Sequence, residues 1–169
     1  HKNLDYAYYL LAIVYYEQIV DEKKDTESII NAKKSFESVV EKFPNSDYAI
    51  DAKFKLDLIE DLLASKEMYV GRYYFERKKW IASINRFKFV IDNYDTTVYV
   101  EEALHRLVEI YFILGLEEQS KKYANLLGYN YQSSQWYENT YSIFDKNYKK
   151  INIKKEENSI LKRFKSLFN

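Results

Sequence analysis

A chain of 169 residues with 47% hydrophobic and 18% aromatic content has enough apolar material for one packed domain or a short repeat array. Three glycines and one proline are too few for a turn-rich β-sandwich or barrel, and the lack of cysteine removes disulfides, thiolate chemistry and cysteine metal sites. The formal net charge of zero hides an asymmetry: from Lys146 to Asn169 eight Lys/Arg stand against Glu156 and Glu157, so the rest is acidic and lacks the basic face that nucleic acid requires.

Apolar residues three and four apart place helices at roughly 3–20, 27–43, 47–63, 65–78, 80–93, 98–114, 117–128 and 134–148. In the first, Tyr8, Tyr9, Tyr15 and Tyr16 are expected to divide between the core and a wet face. No proline falls between Asp47 and Lys78, and Gly71 sits inside an apolar pattern, so 47–63 and 65–78 are open to being one helix. Residues 147–158 are polar and rich in Lys and Asn, as in a linker. Ile160, Leu161, Phe164, Leu167 and Phe168 then fall at helical spacing, with Lys162, Arg163 and Lys165 opposite. That segment is read as an amphipathic helix docking back as an end cap, and a partner surface or an anionic membrane surface would use the same pattern. The domains expected are therefore a repeat domain over 1–146 and a basic linker with a short amphipathic helix over 147–169. No apolar run approaches the roughly 20 residues needed to span a bilayer. The chain starts at His1 and is read as a piece of a longer protein, with any targeting segment outside it.

An internal repeat organises these helices. At an offset of 51 positions Phe36 matches Phe87, Val39 matches Val90, Phe43 matches Tyr94 and Ser46 matches Thr97. Tyr48 matches Tyr99, Ala52 matches Ala103, Leu56 matches Leu107 and Ile59 matches Ile110 in the same register. A third copy sits 37 positions on, with Tyr131, Ser134 and Trp136 in the places of Tyr94, Thr97 and Tyr99. Each copy is a helix ending at an aromatic, a polar turn whose Ser or Thr is placed to cap, and a second helix with a small residue for close approach. The expected fold is an all-α, tetratricopeptide-like α-solenoid of stacked helix pairs, each burying its face on the next.

Residues for chemistry are scarce. His105 has no second histidine at metal spacing and is read as a hydrogen-bonded histidine within a repeat. Glu60–Asp61 and Glu101–Glu102 are placed on solvated helix faces, and no phosphate loop or nucleophile elbow is present. No catalytic, cofactor or metal residue is expected, and the protein is read as a non-enzyme.

The run "KEMYVGRYYFERKKWIASINRF", followed by "EEALHRLVEIYFILGL", resembles the BamD (ComL/YfiO) family of the bacterial β-barrel assembly machine. "HKNLDYAYY" is similar to that family's entry into its middle repeat, and "LGYNYQSSQWYENTY" to its closing repeat. The likeness departs at Lys2, where the family has proline. It departs again at Lys78 and Lys79, one of which must make a turn usually made by glycine. The resemblance implies a non-catalytic scaffold at the periplasmic face of the outer membrane, held by a lipid anchor outside this chain. It implies binding to the membrane-proximal POTRA domain of BamA, and to other subunits, through Arg86 with Asn85 beside it. It also places contact with unfolded outer-membrane precursors in early repeats that this chain lacks. The competing expectation is another periplasmic tetratricopeptide adaptor that binds peptide segments of envelope proteins.

Overall fold

The computed structural model describes residues 3–19 and 26–144. Seven helices follow one another: α1 (Leu4–Glu17), α2 (Thr26–Lys42), α3 (Asp47–Glu76), α4 (Trp80–Asn93), α5 (Val100–Ile113), α6 (Glu117–Asn130) and α7 (Gln135–Phe144). Among the described residues there is no strand. The expected boundary near residue 146 and the basic segment after it lie outside the described residues.

The two segments 47–63 and 65–78 are one 30-residue helix, α3. Its first half packs Ala52 and Ile59 against Ala12, Ile29, Phe36 and Val39 of α1 and α2. Its second half packs Ala64 and Met68 against Phe87, Val90, Ala103 and Leu107 of α4 and α5. One helix is thus shared by two cores, and a breaker between Ile59 and Ala64 would uncouple them. Each helix otherwise packs on the next in sequence, with added contacts of α1 on α3 and α5 on α7.

Four pairs of the repeat register share the same full burial: Phe36 and Phe87, Val39 and Val90, Ala52 and Ala103, and Ile59 and Ile110. In the 37-residue register, Ser83 Oγ donates to the Gly71 carbonyl at 2.9 Å and Ser120 Oγ donates to the Val108 carbonyl at 3.1 Å. The caps agree as well: Tyr94 ends α4 with φ −137° and ψ 45°, and Tyr131 ends α6 with φ −136° and ψ 47°. Such agreement marks one structural unit used repeatedly, the arrangement of a tetratricopeptide-like solenoid.

Two details differ from the sequence reading. Ser46 and Ser134 do accept from Ala49 N–H and Tyr137 N–H, but Thr97 instead donates its hydroxyl to the Tyr94 carbonyl and caps no N–H group. Tyr8, Tyr9, Tyr15 and Tyr16 do not divide: all four are half-buried against the first core. Tyr9 donates to Asp51 at 2.6 Å, and burial together with that carboxylate pushes its hydroxyl up to about 12. It therefore stays protonated and ties α1 to α3.

Candidate functional site

The surface around α4 is set by how the chain turns into it. Lys78 takes φ 56°, a left-handed conformation that disfavours a side chain with a Cβ. Lys79 N–H bonds the Tyr74 carbonyl and Lys78 N–H bonds the Phe75 carbonyl, both at 2.9 Å, closing α3 with a Schellman motif. The repeat equivalent is Gly115, with φ 73° and the same pair of bonds from Leu116 and Gly115. Lys78 is the residue that makes the turn without glycine.

Beyond the turn, α4 lies very close to α3. A Cβ on Gly71 would sit 2.6 Å from Phe87 Cε1, so only glycine permits this approach. With Ser83, Phe87 and Val90 sealed inward, the opposite side of α4 presents Ile81, Asn85, Arg86 and Phe89 to solvent, Ile81 being 78% exposed. Tyr74, Ala82, Asn85, Arg86 and Phe89 enclose an open hollow of about 290 Å³. Arg86 Nη1 donates to Glu67 Oε2 of α3 at 2.9 Å. Asn85 and Arg86 are thus neighbours on one exposed aromatic-edged face, and Arg86 already holds a carboxylate within the chain. An exposed pair of this kind contributes about 0–1 kcal/mol, so it positions the guanidinium more than it stabilises the fold.

A second set of polar residues runs along α5. Glu102 is only 8% exposed, not on a solvated face, and accepts from Arg72 Nε at 2.8 Å and from Arg72 Nη2. Arg106 donates to Glu109 at 2.7 Å and lies over the rings of Phe75 and Trp136. His105 Nδ1 meets Thr140 Oγ1 at 2.8 Å, and its Nε2 is 3.5 Å from Glu109. Burial raises the carboxyls of Glu102 and Glu109, but hydrogen bonds and charge from Arg72 and Arg106, and from His105 and Arg106, outweigh it and hold both below the ordinary glutamate range. His105 is therefore a structural partner of Thr140, as its isolation in the sequence suggests. The seam links α3, α5 and α7 and fixes their relative placement. Sequence reasoning missed Glu102 because its partner Arg72 lies 30 positions away and no spacing announces it. Among the described residues no group of His, Asp and Glu is arranged to hold a metal ion, and no helix is long and apolar enough to cross a membrane.

Stacked helix pairs in a repeated register, with an exposed aromatic and guanidinium face on one of them, define a tetratricopeptide-like helical repeat protein. The chain belongs to the YfiO/BamD family, whose sequence model, described as an outer membrane lipoprotein, matches residues 1–127. It is similar to the outer membrane protein assembly factor BamD of Rickettsia prowazekii, at 52% identity over 86% of this chain and 59% of that protein. The assembly factor BamD of Caulobacter vibrioides is 44% identical over 87% of this chain and 48% of that protein. That of Neisseria meningitidis serogroup A is 33% identical over 79% and 54%. The chain thus spans about half to three-fifths of the length of these curated relatives.

Proposed function

We propose that this chain is a non-catalytic docking scaffold in the assembly of outer-membrane proteins, working at the periplasmic face of the outer membrane. The observation that carries the reading is the α4 face, where Arg86 and Asn85 border an aromatic hollow in a chain of the BamD family. On this reading the face receives the membrane-proximal POTRA domain of BamA, with Arg86 meeting an acidic residue there. The guanidinium fork can hold two parallel hydrogen bonds, whereas its pair with Glu67 uses one arm. A partner carboxylate can therefore join or displace Glu67 without leaving a buried charge unpaired. Membership of the family supports this over a peptide-groove adaptor of another kind. Recovery of BamA from detergent-solubilised envelope by the tagged chain, and its loss with Arg86→Gln, is the expected result. Equal recovery by both proteins contradicts the assignment of Arg86.

A further inference from the structure

The two copies of the repeat treat one helix face differently. In α5 that face receives α7: His105 Nδ1 meets Thr140 Oγ1 at 2.8 Å, the His105 and Trp136 rings are 5.2 Å apart, and Phe112 meets Phe144 edge-on at 5.7 Å. Trp136, Thr140 and Phe144 thus form one stripe of α7 laid along α5. At the 51-residue offset, Glu101, His105 and Glu109 of α5 become Ile50, Phe54 and Leu58 of α3. Polar residues in one copy are large and apolar in the other, yet Ile50, Phe54 and Leu58 are 58%, 65% and 54% exposed. The cause is where the chain turns. Left-handed Gly115 ends α5 and leads into α6 and α7, whereas its counterpart is Ala64, inside the unbroken α3. Among the described residues no helix comes back over the stripe.

Charge says what kind of partner fits. Asp47, Asp57 and Asp61 flank the stripe on α3, while Lys53 lies about a quarter-turn away from it. Carboxylates beside an apolar stripe repel an anionic membrane, disfavour a second copy of an acidic chain and attract a basic surface. An exposed apolar patch rimmed by charge is the usual mark of a protein-binding site. We propose that Ile50, Phe54 and Leu58 receive an amphipathic helix of another protein, one with apolar residues at i, i+4 and i+8 and Lys or Arg beside them. That helix lies on α3 as α7 lies on α5, with its cations against Asp47, Asp57 and Asp61. Leu58 is about 24 Å along the helix axis from Tyr74, which borders the hollow beside Arg86, so the stripe is a second surface and not an extension of the α4 face.

The probe is a short fluorescein-labelled synthetic helix with Trp, Leu and Phe at i, i+4 and i+8 and lysines on either side, together with a twin carrying glutamates in place of the lysines. Binding to the full chain is read by fluorescence anisotropy. The lysine peptide should bind, and more weakly as salt is raised. Its affinity should fall at least about tenfold for Phe54→Asp and for Leu58→Asp, and the glutamate twin should bind the unaltered chain at least about tenfold more weakly. Both substituted side chains are exposed, so both variants should melt with the unaltered chain. Arg86→Gln should bind the peptide as the unaltered chain does, which separates this surface from the α4 face. No binding of the lysine peptide, equal affinity for both peptides, or affinity that neither stripe variant changes overturns the proposal. So does self-association in sedimentation that Phe54→Asp abolishes, which would give the stripe to a second copy.

Discussion

At the scale of single residues, two backbone positions carry consequences that can be measured. Gly71 lets Phe87 reach full burial, and a methyl group there meets a ring with no room to swing. Overpacking of this sort costs about 1–3 kcal/mol, offset in part by alanine's helix preference of about 1 kcal/mol over glycine. Gly71→Ala should therefore lower stability by up to about 2 kcal/mol in a denaturant melt. Lys78 is the opposite case. Its left-handed backbone costs a side-chain-bearing residue about 1 kcal/mol, and Gly115 shows what the repeat uses at the same place. Lys78→Gly should raise stability by up to about 1 kcal/mol, read by the same melt. The need for a turn at Lys78–Lys79 was legible in sequence because periodicity stops there. The reason for Gly71 was not, since it depends on a ring 16 positions away on another helix.

Among the elements, the pairing of helices was the most legible part of the fold. Phe, Val, Ala and Ile recur at fixed offsets because each unit must bury the same face on its neighbour, and so the copies report the register directly. Ala52 and Ala103 are fully buried where helices approach, and enlarging either to leucine should cost about 1–3 kcal/mol from overpacking. What sequence did not reveal is α5, which packs against α4, α6 and α7 at once and buries residues around its circumference. A glutamate placed on a solvated face by periodicity is there drawn inward to Arg72. The depressed carboxyls of Glu102 and Glu109 give a sign for acid sensitivity. Their contribution is present above the ordinary glutamate value of 4.5 and is lost as pH falls through their lower folded values. Glu102→Gln should lower stability at neutral pH by about 1–3 kcal/mol, by removing a paired charge from Arg72. It should also flatten the fall in melting temperature between neutral and acid pH. An unchanged acid profile would mean that Glu102 contributes nothing to the linkage.

For the whole molecule, the long helix α3 joins two cores into one scaffold, and the α4 face stands on the second of them. The family was legible in the sequence because the "VGRYY" and "WIASINRF" stretches carry the resemblance, and both fall within the residues that the family model matches. The contact of Arg86 with Glu67 was not, being a pairing across 19 positions between two helices. That pair makes the central claim directly testable, because the two partners should behave alike for folding and differently for docking. Isothermal titration of the BamA POTRA domain into the full chain, Glu67→Gln and Arg86→Gln is the measurement. Both variants should melt within about 1 kcal/mol of the unaltered protein, as befits an exposed pair. Arg86→Gln should weaken binding by about 2 kcal/mol or more, while Glu67→Gln, which frees the guanidinium for the partner, should bind at least as tightly as the unaltered chain. Equal affinities for all three proteins would show that Arg86 serves only Glu67 and that the docking face lies elsewhere on the solenoid.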